Sequence, residues 1–310
     1  MIMNKPLGPY ELSRTELIAL KEITQSPISI SALARRIRKS QPTATEVVKQ
    51  LQTGGFVTVE RVGMRKLVRM SQAKHAQLLR DMMLANAHVP WESLLAFSQM
   101  LPLLRFEGPA PASVSKTTEW RTLRNLMAHG IVSKDDRGIK INPKFSKVAE
   151  FTHEFSSYVN SMVAAKSSEA AVIIWASGSQ FIMRVPEREK IQDKRFKPTA
   201  TTALPRYGVP LISHVKYYYY SPIRSGLKAE DVLLHTLLVD GVTNVIYALI
   251  LLVKAKINRE QLLRKAEMLN LKDQVKGMLK FLDTHERQVD ATLPRWSEFK
   301  QKASEYGVDV

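Results

Sequence analysis

Cysteine is absent from all 310 residues. That excludes a disulfide framework, a Cys-ligated zinc site and a thiol nucleophile. Long apolar runs are also missing. The most apolar stretch, Val245 to Val253, is closed by Lys254 and Lys256 and is about half of what a bilayer span requires, so a buried core helix is expected there. Met1 to Tyr10 has no apolar segment of the secretory kind, and no glycine-rich phosphate loop occurs. The seven histidines (His75, His88, His129, His153, His214, His235 and His285) lack metal-ligand spacing. Acidic residues are scarce: 29 Asp and Glu stand against 46 Lys and Arg, a formal +17. Such a surplus favours a polyanionic partner, of which nucleic acid is the commonest. An anionic membrane surface is the rival reading, and a generally basic proteome explains the charge without any function. The expectation is a cytoplasmic protein with no membrane association, no metal and no cofactor.

What is present begins at Ser13-Arg14-Thr15-Glu16, the pattern of a capping box that opens a helix. Leu17, Ile18, Leu20 and Ile23 give that helix an apolar face to about Gln25, and Ser26-Pro27 breaks it. Ser29 is placed to cap a short second helix with Ile30, Leu33, Ala34 and Ile37 inward. After a turn at Lys39-Ser40, Pro42 falls in the first turn of a third helix. There Ala44, Val47, Val48 and Leu51 form a core stripe, and Gly54-Gly55 ends it. Two β-favouring runs follow, Phe56 to Arg61 and Lys66 to Met70, joined around Gly63.

The segments Leu33-Ala34-Arg35-Arg36-Ile37, Leu51-Gln52-Thr53-Gly54-Gly55-Phe56-Val57 and Gly63-Met64-Arg65-Lys66-Leu67-Val68 resemble the winged helix–turn–helix regulators of the MarR and ArsR type. The resemblance covers about residues 11–84 and implies a DNA-binding module. The surface pattern agrees, since a major-groove helix needs an outward row of short polar readers. Gln41, Thr43, Thr45 and Lys49 occupy those outward positions on the third helix, with Glu46 as the acidic exception. Arg35, Arg36, Arg38 and Lys39 precede it, and Arg61, Arg65 and Lys66 decorate the wing, all placed to meet phosphates. Residues 1–90 carry 14 basic and 6 acidic groups, so the charge is concentrated here. For any single arginine, a solvated helix face is the simpler explanation.

A shift of 75 residues aligns Lys49-Gln50-Leu51 through Gly55-Phe56-Val57 with Arg124-Asn125-Leu126 through Gly130-Ile131-Val132. A second wing is expected from Ile131 to Lys134 and Ile139 to Ile141, with helices near Trp91–Leu104 and Ser146–Ala165. Its second-helix region, Gly108-Pro109-Ala110-Pro111-Ala112-Ser113, is poor helix material. Residues 91–166 hold 10 basic and 7 acidic groups. Lys116, Thr117, Thr118, Arg121 and Arg124 are candidates for a second DNA contact, and a purely structural or dimerising role weighs equally.

Beyond Ser168 the pattern turns to α/β. Strands are expected at Ala171–Trp175, Gln180–Val185 and Lys216–Ser221, the last with four consecutive tyrosines. A short helix is expected within Pro198–Val209, and helices at about Ala229–Leu238, Val242–Val253, Arg259–Leu269, Asp273–Thr284 and Trp296–Tyr306. The block Thr199–Gly208, the Tyr-rich strand and Leu227-Lys228-Ala229-Glu230-Asp231-Val232-Leu233-Leu234-His235 resemble the C-terminal domain of AbiEi-type antitoxins and their archaeal relatives. That resemblance implies a nucleotidyltransferase-like domain without catalytic residues, and a toxin or other protein partner. An active nucleotidyltransferase is the sharper alternative. Gly178-Ser179 is present, but the carboxylates of Glu187-Arg188-Glu189 follow Pro186 in a charge run and read as a surface linker. His235, on an apolar helix, reads as a satisfied core histidine.

The sequence therefore predicts a mainly α chain with α+β parts, in three domains. These are a winged helix at 1–88, a second at 89–166, and a catalytically degenerate nucleotidyltransferase-like and helical domain at 167–310. The expected function is non-enzymatic: a transcriptional regulator of antitoxin-like kind that binds double-stranded DNA, with a homodimer compatible. A DNA-binding protein of replication, repair or plasmid maintenance is the alternative, and a nucleotidyltransferase enzyme the second alternative.

Overall fold

The computed structural model describes residues 12–63, 65–94, 116–135, 138–222, 226–240, 243–255, 257–285 and 292–310. The fold is mixed α and β. It divides into two compact units, Met1–Val159 and Asn160–Val310.

In the first unit, α1 (Arg14–Gln25) opens on the expected capping box: the Ser13 N–H donates to Glu16 Oε2 at 2.6 Å, and the Glu16 N–H to Ser13 Oγ at 3.3 Å. Pro27 forces Ser26 into extended backbone, and α1 stops. The next two residues form β1 (Ile28–Ser29), paired with Val68 and Leu67. Ser29 then caps α2 (Ile30–Arg36), and Ser40 caps α3 (Gln41–Thr53). Strands β2 (Val57–Val62) and β3 (Arg65–Met70) form a hairpin, and β1 adds to it in the antiparallel order β1-β3-β2. The expected two-stranded wing is thus part of a three-stranded sheet. The third strand is too short to carry a sequence signal of its own.

Leu17, Leu20, Leu33, Ala44, Leu51, Phe56 and Val68 are buried together with Leu79 of α4 (Lys74–Ala85). Each large side chain so placed contributes about 1.5–3 kcal/mol relative to exposure. The short α5 (Trp91–Leu94) packs against α1 and against α6 (Lys116–Ala128). A second hairpin, β4 (Val132–Asp135) with β5 (Gly138–Ile141), follows, and then the long α7 (Ser146–Ser167). The Gly108–Ser113 segment and most of the helix expected at Trp91–Leu104 lie outside the described residues.

The second unit holds a four-stranded antiparallel sheet in the order β6-β7-β9-β8. Its strands are β6 (Val172–Ser177), β7 (Gln180–Pro186), β8 (Phe196–Pro198) and β9 (Val215–Tyr220). Strand β8 was not among the strands expected from the sequence. The helix expected within Pro198–Val209 is instead two 3₁₀ turns, Ala200–Thr202 and Leu204–Tyr207, closed by Gly208 at φ 72°. Pro205 and the run of threonines suit such short turns better than an α-helix. The remaining helices are α8 (Ala229–Asp240), α9 (Val245–Lys254), α10 (Arg259–Met268), α11 (Lys272–Thr284) and α12 (Trp296–Glu305). They share one core around Leu233, Leu249, Ile250, Leu262, Met278 and Phe281. The apolar run at α9 is the middle of that core, and among the described residues no helix is long and apolar enough to cross a membrane.

Candidate nucleic-acid interface

The chain reverses between α2 and α3 in four residues. Arg38 sits at φ 53°, a left-handed conformation that costs a non-glycine residue about 1–2 kcal/mol. Its N–H and that of Lys39 close the end of α2 on the carbonyls of Arg35 and Ala34. Arg35, Arg38 and Lys39 are left exposed on the outside of the turn, and among the described residues no ion pair holds them. Arg36, grouped with them on sequence grounds, is instead drawn back to Glu22 of α1 at 3.2 Å.

Helix α3 shows the expected division. Ala44, Val47, Val48 and Leu51 are buried, while Gln41, Thr43, Thr45 and Lys49 are exposed. The threonine hydroxyls are already engaged within the helix: Thr45 Oγ1 donates to the Gln41 carbonyl at 2.9 Å, and Thr43 Oγ1 lies 2.8 Å from the capping Ser40 Oγ. Their methyl groups and spare lone pairs remain for an outside contact. Glu46 accepts from the Gln50 side-chain amide at 2.7 Å.

In the β2–β3 hairpin, Gly63 makes the turn at φ 59°. The register sets Arg61 directly opposite Lys66, and Val62 opposite Arg65. Like charges facing each other across a strand pair repel, and both are exposed, as is Arg65. Arg69, by contrast, is neutralised by Glu60. An anion against the hairpin would relieve the Arg61–Lys66 repulsion.

The far end of α3 is clamped. His75 Nε2 lies 3.0 Å from the Gly54 carbonyl, and the Tyr158 hydroxyl donates to the Thr53 carbonyl at 3.4 Å. A carbonyl only accepts, so Nε2 carries the proton in that contact. Burial pushes the His75 pKa below its ordinary value, opposed by the Gly54 contact and by Glu154. Phe56 fills the centre, with its ring 4.9 Å from His75 and 5.1 Å from Phe155. The scattered histidines gave no hint of this role.

Of the second set, Thr117, Arg121 and Arg124 are exposed on α6. The side chains of Lys116 and Thr118 lie outside the described residues. Sequence reasoning passed over Trp120, which is 62% exposed with the Arg124 guanidinium 5.4 Å from its ring centroid. Its spacing, between Thr117 and Arg124 on the outward face, was the available signal.

In the second unit, Gly178-Ser179 forms the β6–β7 turn, with the Gly178 carbonyl accepting from Asn160 Nδ2 at 2.7 Å. Glu187 and Arg188 are exposed beyond the end of β7, and Glu189 is half-buried there. No carboxylate stands on the strand itself. His235 Nδ1 is 2.7 Å from Thr199 Oγ1, and burial lowers its pKa to about 4. Tyr219, whose ring lies 4.7 Å away, donates to Gln180 Oε1 at 2.7 Å, and burial raises its pKa to about 12. Among the described residues no group of three or more His, Asp or Glu could hold a metal ion.

A family model described as HVO_2833_C, C-terminal, matches residues 193–308, which lie within the second unit. No curated protein and no solved structure matches the chain.

Proposed function

We propose that the chain is a non-enzymatic, sequence-reading DNA-binding regulator of antitoxin-like kind, which grips duplex DNA through a winged helix in its first unit. In this reading α3 enters the major groove, the α2–α3 turn meets phosphates, and the β2–β3 hairpin is the wing. The second unit, as a degenerate nucleotidyltransferase-like and helical domain, engages a protein partner or a second copy. The observation that carries the reading is the cationic rim around an acid-poor helix face. Arg35, Arg38, Lys39, Arg61, Arg65 and Lys66 are exposed, and two of them are held opposite each other.

The test is the salt dependence of duplex binding. Replacing Arg35, Arg65 and Lys66 by Ala should weaken binding to specific and random duplexes alike. It should flatten the log–log salt slope by about 0.9 for each phosphate that is no longer neutralised. Arg36→Ala should change the slope less, because its guanidinium is already held by Glu22. An unchanged slope in the triple variant would remove these residues from the interface and the reading with them.

A further inference from the structure

Helix α6 carries a surface unlike that of α3. Thr117, Trp120, Arg121, Arg124 and Ala128 recur at helical spacing, and all are exposed. Thr122 and Leu126 occupy the buried side. Among the described residues no acidic side chain pairs with Arg121 or Arg124, and residues 116–144 hold seven basic and three acidic groups. An indole left 62% exposed leaves apolar area in water. The Arg124 guanidinium near its ring keeps it flanked by a cation.

A large flat ring gains most by burying its face against another flat ring. Bases in an intact duplex have both faces occupied by their neighbours, whereas an unpaired base offers one. The flanking guanidiniums match the phosphates on either side of such a base. We propose that the exposed face of α6 is a stacking site for an unpaired nucleobase, so that the preferred ligand is duplex DNA running into a single strand. This rests on the first module gripping duplex, and it assigns that ligand a second, single-stranded element.

The experiment is an anisotropy titration of the full chain at one salt concentration. The probes are a blunt duplex, the same duplex with a thymidine tail of about ten nucleotides, and the tail alone, a length within the range that single-strand sites span. Wild type should bind the tailed duplex about tenfold more tightly than the blunt one, as one stacked base would give. Trp120→Ala should abolish that advantage while leaving blunt-duplex affinity unchanged. Trp120→Phe should keep most of it. Because Trp120 is exposed, an unchanged melting curve is expected for both variants.

A tail that confers no advantage on wild type, or one that survives Trp120→Ala, would overturn the proposal. So would equal losses on blunt and tailed duplexes, which would make α6 an ordinary duplex contact. A smaller sedimentation coefficient in Trp120→Ala with DNA affinities unchanged would also overturn it, because the face would then be a contact between copies. If wild type ignores blunt duplex yet holds the thymidine strand through Trp120, the reading of the first module fails and the preference for a tailed duplex with it, while the stacking site on α6 stands.

Discussion

The segments Lys49–Val57 and Arg124–Val132, which a shift of 75 residues superposes, end their helices alike and anchor them differently. Leu51 and Leu126 are buried, and Gly55 and Gly130 turn at φ 70° and 67°. The Phe56 N–H reaches the Leu51 carbonyl, and the Ile131 N–H the Leu126 carbonyl, both at 2.9 Å. Even the closing bond recurs: the Phe56 and Ile131 carbonyls accept from Ser71 and Asn142. The sequence repeat is therefore a repeat of hydrogen bonds. What differs is the support. In the first segment His75 and Tyr158 hold the last carbonyls of the helix, around a buried Phe56. In the second, the Asn142 side chain donates to the Gly130 carbonyl. The two outward faces also differ: short and polar on α3, aromatic and cationic on α6. A shared backbone design thus leaves the surface free to diverge, and the more heavily braced copy carries the row suited to groove reading.

The sharpest way to break this comparison is to place the same substitution at both turn glycines. Around Gly55 an added Cβ would lie 2.7 Å from the Tyr158 ring and 3.1 Å from His75, whereas around Gly130 nothing stands within 4 Å. Both positions carry the left-handed strain of about 1–2 kcal/mol, but only Gly55 adds overpacking. Gly55→Ala should therefore destabilise the first unit by about 3 kcal/mol, and Gly130→Ala by about 1 kcal/mol. Thermal unfolding of the two variants provides the measurement. Equal shifts would mean that the aromatic brace gives way without cost.

Much of this was legible beforehand because it is local. The capping box at Ser13, the cap at Ser29, the break at Pro27 and the buried stripe of α3 all depend on residues a few positions apart. Strand β1 was not legible. Its partner lies some forty residues on in β3, and two residues have no period to read. Strand β8 was hidden for the same reason, being three residues inside a charge run. For the candidate interface, helical period identified which side chains face outward but not what they already touch. The Arg36–Glu22 pair and the engaged hydroxyls of Thr43 and Thr45 depend on rotamers. Trp120 was missed although its spacing puts it on the side of Thr117 and Arg124, because helical period does not tell whether a neighbour covers that side.

A gentler probe compares the outward faces. Gln41 and Thr117 are exposed in the first turns of α3 and α6. Gln41 can pair with two atoms of an adenine edge, so Gln41→Ala should cost about 1–3 kcal/mol on the preferred site and little on random duplex. Thr117→Ala should leave discrimination between the two duplexes unchanged. Thr43→Ser should reveal the part played by its methyl group, since the hydroxyl is already committed to Ser40. Titrations of all three variants on both duplexes, at one salt concentration, would distinguish these outcomes. A collapse of discrimination in Thr117→Ala with none in Gln41→Ala would reverse the roles of the two helices.

The smallest expected effect concerns the chemistry of the two anchors, because only the first can titrate. His75 sits buried against the Gly54 carbonyl, and burial, which disfavours the charged ring, holds its folded pKa below 6.5. Between the folded value and the unfolded value near 6.5, the unfolded chain binds more protons. The stability tied to neutral His75 is therefore complete above about pH 6.5 and is lost as the pH falls from there through the folded pKa. His235 in the second unit titrates in the same direction, from 6.5 down to about 4. Wild type thus carries both contributions, and a single variant removes one. His75→Gln keeps an N–H donor for the carbonyl and has no proton to gain. Its melting temperature should fall less steeply than that of wild type between pH 7 and pH 5, an interval set by the ordinary histidine value. Asn142, which anchors the neighbouring Gly130 carbonyl in the other segment, does not titrate, so Asn142→Ala should lower stability equally at both pH values. A His75→Gln variant that tracks wild type across this interval would show that the histidine brace adds nothing the asparagine does not.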